Sequence, residues 1–213
     1  MEKGVLVAVE GIDGSGLTTH ARLLVESLSS QGFRSVYTKE PTYGPVGQLI
    51  RKFLSLPNPD NRLLALLFAA DRVWHYFEDP DLPGGGIGGA LEQGYIVVTD
   101  RYKYSSIAYQ GSFTSIDWVW SINSVVPEAF IIVYIDVDVD TAIKRITSRA
   151  KIEAYETRER LSIIKETFQR VLEIAKQNGV KIIHIKASEP EERTIESVSR
   201  EILEKILSAL ENP

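Results

Sequence analysis

Five short apolar runs punctuate the chain, at residues 5–9, 34–37, 96–99, 130–135 and 181–185; most are rich in β-branched residues, as strands buried on both faces should be. Between them the apolar positions recur every three or four residues, which predicts helices over 20–28, 45–56, 61–76, 105–110, 138–149, 158–178 and 191–210. Strand then helix, repeated along the chain, predicts an α/β fold built on a five-stranded parallel sheet with helices on both faces. In such sheets ligands collect beyond the carboxyl ends of the strands, so the segments after Val9, Tyr37, Thr99 and Ile135 are where chemistry should lie. Gly32 and Gly179 stand just past predicted helix ends, and Asp138 or Asp140 can cap a helix start.

The first of those segments reads Gly11-Ile12-Asp13-Gly14-Ser15-Gly16-Leu17-Thr18, with Thr19 following, between a strand and a helix. Its three glycines let successive N–H groups turn inward, and with the helix N-terminus behind them they make a nest for phosphate oxygens. Thr18 can offer a hydroxyl to Mg²⁺. A phosphate-binding loop carries lysine where this chain has Leu17, so the run reads either as an atypical phosphate nest or as a tight strand-to-helix turn. Gly84 to Gly89 also satisfies a dinucleotide-binding spelling, but it follows a helix and not a strand, so it reads as a flexible connector.

Composition narrows the classes. With 213 residues, 44% of them hydrophobic, the chain can bury one sizeable core, and the simplest organisation is a single domain with a small insertion. A net charge of −5 argues against a nucleic-acid coat protein, and the absence of cysteine removes disulfides, zinc thiolates and thiol catalysis. No apolar stretch is long enough to cross a bilayer and the start of the sequence has no leader pattern, so a cytoplasmic protein without membrane partners is expected.

Two further segments carry chemistry. Asp100-Arg101-Tyr102 leaves a buried strand with an acid and a base, suited to Mg²⁺ and phosphate or to a strand-end salt bridge. Phe68 and Arg72 are four apart on one helix face, so an aromatic plate and a guanidinium are neighbours that suit a nucleobase, although Phe68 also reads as core. None of His20, His75 and His184 is required for catalysis, and His75 is expected at the helix surface or a pocket rim.

Taken together, these motifs resemble the thymidylate kinases, of the P-loop nucleoside monophosphate kinase group. The resemblance rests on the glycine loop, on Thr38-Lys39-Glu40-Pro41, on the helix with Leu67-Phe68-Ala69-Ala70-Asp71-Arg72, on Asp100-Arg101-Tyr102 with Ser105-Ser106-Ile107-Ala108-Tyr109-Gln110-Gly111, and on an arginine-bearing segment at 145–160. It implies a P-loop fold with a small mobile lid near 145–160, transfer of the γ-phosphoryl of Mg·ATP to dTMP, and a homodimer. It further implies that Phe68 stacks on thymine, Arg72 meets its exocyclic oxygen, and Ser106 and Gln110 lie near the base. Tyr109 would crowd the sugar C2′, Asp13 would accept from the 3′-hydroxyl, Arg101 would contact the transferring phosphate, and Pro41 and Arg51 would border the acceptor. Residues 11–19 would hold ATP phosphates, Arg145 the adenine, and Thr18 with Asp100 the Mg²⁺.

The chain departs from the family at cations. Lys39 replaces an arginine, Leu17 the loop lysine, and Ala154 the lid arginine. With Gly14 in the loop, the pattern resembles relatives that bring a cation from the lid, which makes Arg149 and Lys151, with Arg158, the expected substitutes. The alternatives are a kinase for another deoxynucleotide such as dUMP, and a nucleotide-binding protein with little turnover.

Overall fold

The computed structural model describes residues 3–148, 157–188 and 193–211. Its sheet has five parallel strands in the order β2-β3-β1-β4-β5: β1 Val5–Glu10, β2 Ser35–Lys39, β3 Ile96–Asp100, β4 Ile131–Asp136 and β5 Lys181–Lys186. The central strands β1, β3 and β4 are buried almost throughout, as their unbroken apolar spelling requires.

Nine helices are described: α1 Leu17–Ser30, α2 Pro45–Leu54, α3 Asn61–Phe77, α4 Ile87–Glu92, α5 Lys103–Tyr109, α6 Ile116–Ile122, α7 Val139–Thr147, α8 Arg158–Gln177 and α9 Ile195–Glu211. On one face of the sheet α1 packs against β1, β2, β3 and α9; on the other, α4 covers β1 and β3 while α8 joins α5 to β5. All five expected strands form, and the caps follow their chemistry: Pro45 opens α2, Gly32 and Gly179 take φ of 87° and 86° after α1 and α8, and Asp138, not Asp140, accepts the Thr141 N–H at 2.7 Å.

The differences are local. The first helix begins at Leu17, three residues before its apolar rhythm becomes visible, because the glycine loop feeds directly into it. Helices α4 and α6 are too short for the helical period to show in sequence. The glycine-rich run at 84–89 is no dinucleotide loop, and it is close-packed, unlike the flexible connector expected: a methyl on Gly89 would stand 2.2 Å from the carbonyl oxygen of Gly84, and one on Gly86 2.5 Å from that of Tyr76. Ile87 and Ala90 are fully buried beside it.

Gly89 therefore inverts a usual rule. Glycine to alanine inside a helix ordinarily stabilises by about 1 kcal/mol, whereas overpacking costs about 1–3 kcal/mol. Gly89→Ala is expected to lower the melting temperature, by about 2–4 °C per kcal/mol for a chain of this size. An unchanged or higher melting temperature would show that the connector yields.

Candidate active site

Strand register builds the site. Lys39 and Val9 both stand opposite Asp100, so β1, β2 and β3 end at one level. The next residue of each chain segment is then delivered to one place: Arg101 N–H donates to Val9 O at 3.0 Å and Glu40 N–H to Asp100 O at 3.0 Å. Glu10, Glu40 and Arg101 are those residues.

Glu10 is fully buried, accepting from the Tyr102 N–H at 2.9 Å, the Ser105 N–H at 3.3 Å and the Ser105 hydroxyl. It ties the start of α5 to the end of β1. Burial pushes its carboxyl up to about 7, against the opposing pull of Ser105 and Arg101. Arg101 has a φ of 74°, the single positive value among described non-glycine residues, a conformation that costs about 1–2 kcal/mol. Its guanidinium donates to Gly11 O at 3.0 Å and Ser105 Oγ at 3.1 Å, pairs with Asp13 at 2.6 Å, and lies 5.2 Å from the centre of the Tyr109 ring. Strain held by this many contacts fits a residue that must face a ligand.

A cavity of about 530 Å³, its open mouth included, lies between the glycine loop, α2, α3 and α5. Its walls are Asp13, Glu40, Pro41, Leu54, Phe68, Arg72, Arg101, Tyr102, Ser105, Ser106, Tyr109 and Gln110. The structure thus brings together eight residues expected around an acceptor nucleotide: Asp13, Pro41, Phe68, Arg72, Arg101, Ser106, Tyr109 and Gln110. Phe68 packs on the core, as one reading of its sequence position expects, while its ring also lines the cavity.

Arg72 is 1% exposed and held on three sides. Nε and Nη2 reach one oxygen of Glu40 at 2.8 and 2.6 Å, Nη2 also donates to Ser106 Oγ at 3.1 Å, and Nη1 donates to Asn123 Oδ1. The other Glu40 oxygen meets His75 Nδ1 at 3.1 Å, while His75 Nε2 lies 2.6 Å from the Thr38 hydroxyl. His75 is fully buried, a correction to its expected place at a surface or rim: it packs between two polar partners, Glu40 and Thr38, under α3. The adjoining loop is fixed by Asp71, which accepts from the Thr42 N–H at 2.7 Å and hydroxyl at 2.6 Å.

Two expected acceptor contacts are displaced. Arg51 donates to the carbonyls of Thr42 at 2.5 Å and Pro41 at 2.6 Å, so it clamps the cavity wall from behind. Lys39 lines a neighbouring crevice with Arg22, Tyr37, Tyr43 and Trp74, its ammonium 5.8 Å from the Tyr43 ring centre. Tyr37 and Thr38 of the same strand line this crevice with it, whereas Glu40, one residue further on, lines the acceptor cavity.

Across the glycine loop lies a second, open cavity of about 1090 Å³, lined by Gly14, Gly16, Thr19, His20, Arg145, Ala187, Arg193, Thr194, Ile195 and Val198. Gly14 and Gly16 have φ of 83° and 86°, and a methyl on Gly14 would stand 2.6 Å from Ala142 O, so no side chain fits there. Arg145 donates to Gly14 O at 3.0 Å. Thr18 Oγ1 donates to Asp100 Oδ2, and the Tyr37 hydroxyl approaches the same oxygen at 3.4 Å. Ile12 and Ser15 are buried in the turn itself, joined by Ser15 N–H to Ile12 O at 3.1 Å. Leu17 is turned inward, 5% exposed, and its Cδ2 would sit 3.3 Å from a methyl on Gly11. Only its backbone is available to a phosphate.

Arg149 and Lys151 lie outside the described residues, as do residues 149–156 as a whole. Arg158 is exposed and paired with Asp140, its Nη2 at 3.0 Å from Oδ2, so its guanidinium is directed to α7. Sequence reasoning missed Glu10, Glu40, Asn123 and Arg193 as site-building residues. For Glu10 and Glu40 a signal existed, an acid at the carboxyl end of an apolar strand; for Asn123 and Arg193 there was none.

Two buried groups oppose each other in pH. Glu10, raised to about 7 in the fold, adds stability below its ordinary 4.5 that is lost as pH rises through 7. His20 Nδ1 is 2.8 Å from Ser199 Oγ, and burial, reinforced by Arg145, lowers it to about 4; its contribution is present above 6.5 and lost as pH falls through 4. Between these limits the slopes cancel. Glu10→Gln removes one, so the melting temperature of the variant relative to the parent is expected to climb from pH 5 to pH 7.5; a constant difference would deny the buried carboxyl this role.

The chain matches the thymidylate kinase family model over residues 9–198. A relative from Aeropyrum pernix named as a thymidylate kinase is 47% identical, covering 96% of this chain and 97% of its own length. One from Methanococcus aeolicus is 36% identical over 94% and 95% of the two chains. The solved thymidylate kinase of Candida albicans superposes with a TM-score of 0.75 at 26% identity, over 97% of this chain and 92% of its own. The parallel sheet, the glycine loop between two cavities and this agreement across nearly the whole length place the chain in the thymidylate kinase family.

Proposed function

We propose that this kinase transfers the γ-phosphoryl of ATP to the phosphate of dTMP, giving ADP and dTDP, with residues 1–213 forming one catalytic domain. The observation that carries the reading is that consecutive residues, Asp13 and Gly14, line two different cavities. A donor on one side and an acceptor on the other would meet at the loop.

The acceptor cavity suits a pyrimidine nucleotide: Phe68 offers a ring face, Arg72, Ser106 and Gln110 offer polar edges, and Tyr109 narrows the space beside a sugar. Asp13 can accept from a 3′-hydroxyl and Arg101 can hold the transferring phosphoryl. On the donor side, residues 11–19 would hold the ATP phosphates, with Gly14, Gly16 and Thr19 lining the cavity, and Arg145 would flank adenine. The Thr18 hydroxyl beside the Asp100 carboxylate fits Mg²⁺, which usually takes one or two carboxylates and keeps several waters. Bound with the nucleotide, the ion offsets charge on the β- and γ-phosphate oxygens.

Because Leu17 supplies no charge, the remaining cation comes from elsewhere, and we assign that role to a lid at 145–160 through Arg149 or Lys151. Exposed Leu63, Leu66, Val73 and Phe77 on α3, with Leu49 on α2 and Leu56 just beyond it, support a homodimer through these helices. Sedimentation as a single-chain species would remove that assignment. No described helix is long and apolar enough to cross a membrane, and we take the site of action to be the cytoplasm.

In a coupled assay, dTMP is expected to stimulate ADP release from Mg·ATP. Absence of stimulation while both nucleotides bind by calorimetry would make this a binding protein and not an enzyme. Against dUMP, the C5 methyl should contribute about 1–3 kcal/mol of discrimination; equal efficiency would widen the acceptor class.

Leu17→Lys tests the missing charge. A lysine stem would have to leave the leucine's inward path to bring its ammonium to the nest; with that turn made, turnover should rise, on the order of tenfold, as charge-assisted contacts to a phosphoryl group allow. A large fall would mean that the loop is built around leucine.

A further inference from the structure

Arg72 has five N–H donors, and the fold occupies four of them: Nε with Glu40, the two on Nη2 with Glu40 and Ser106, and one on Nη1 with Asn123. One Nη1 hydrogen is left beside the cavity that the guanidinium lines. A guanidinium free to swing could present any of its donors to a base. This one cannot. We propose that Asn123 is a positioning residue which, by fixing Nη1, makes Arg72 a single outward donor and so selects pyrimidine monophosphates carrying a carbonyl at C4 over those carrying an amine.

Asn123 is well placed for this. It is 1% exposed at the end of α6 and does not line the cavity, so it acts only through Arg72. Its own amide is held by Nδ2 donating to Val119 O at 2.7 Å, which fixes Oδ1 as the atom facing Arg72. Ring and cation are also stacked from below, with the Arg72 guanidinium 5.6 Å from the Tyr102 ring centre. A fixed N–H meeting the C4 carbonyl of thymine forms a hydrogen bond; meeting the C4 amine of cytosine it opposes another donor, and a site that leaves polar groups unpaired rejects strongly. The inference rests on dTMP as the acceptor, and its test separates the two.

Steady-state kinetics with dTMP and dCMP should be measured on the parent, Asn123→Leu, Asn123→Asp and Asn123→Ser. If the inference holds, Asn123→Leu raises KM for dTMP on the order of tenfold, the size of a lost hydrogen bond to a charged group, leaves kcat close to the parent value, and narrows the dTMP to dCMP preference. Asn123→Asp, which keeps an oxygen opposite Nη1, restores both. Asn123→Ser, too short to reach, reproduces the loss should the leucine variant fail to fold. A folded Asn123→Leu or Asn123→Ser with the parent preference, or one that lowers kcat equally for both acceptors, overturns the inference and leaves the kinase reading intact. A parent enzyme that ignores dTMP, or that favours dCMP, overturns the acceptor assignment itself and the inference with it.

Discussion

The alignment of three strand ends is the constraint from which the site follows. Because Lys39 and Val9 share a rung with Asp100, the parallel ladder stops at one level, and the chain leaves it three times at adjacent points. Glu10, Glu40 and Arg101 then stand within one layer, each too polar to be buried alone. Glu10 and Glu40 are buried and Arg101 is partly buried, each with partners: Glu10 takes the N–H groups of Tyr102 and Ser105, Glu40 takes Arg72 and His75 of α3, and Arg101 takes Asp13 and Gly11. Slipping one strand by a residue would leave these charges unpaired, at several kcal/mol each.

This layer also explains how a loop with few cations can still be shaped for phosphate. Removing the lysine from a glycine nest takes away charge but not the backbone donors, and here leucine fills the space against Gly11 and joins the core. The nest is then held from outside, by Arg101 on Gly11 and by Arg145 on Gly14. Two guanidiniums bonded to loop carbonyls stand on opposite sides of the loop, one at each cavity. Charge is thus moved from the loop to its flanks.

Arginine recurs in three different tasks. Arg51 closes a loop by binding its carbonyls, Arg72 is buried and held by three acceptors, and Arg101 bridges strand end and glycine loop. The planar fork permits this division, since it can satisfy several fixed acceptors and still leave a donor pointing outward.

Sequence alone determined the parallel α/β sheet, the glycine loop and most of the acceptor cavity, because periodicity, glycine placement and the Leu-Phe-Ala-Ala-Asp-Arg and Asp-Arg-Tyr segments are local properties of the chain. The short helices α4 and α6 escaped it, being too brief to show a period, and so did the close packing of Gly84 against Gly89. Tertiary structure alone decided that Arg51 and Lys39 turn away from the cavity, that His75 is interior, and that Glu10, Glu40 and Asn123 build the site. Those facts depend on which distant segments the strand register brings into hydrogen-bond range. Spacing along a chain carries no record of that distance.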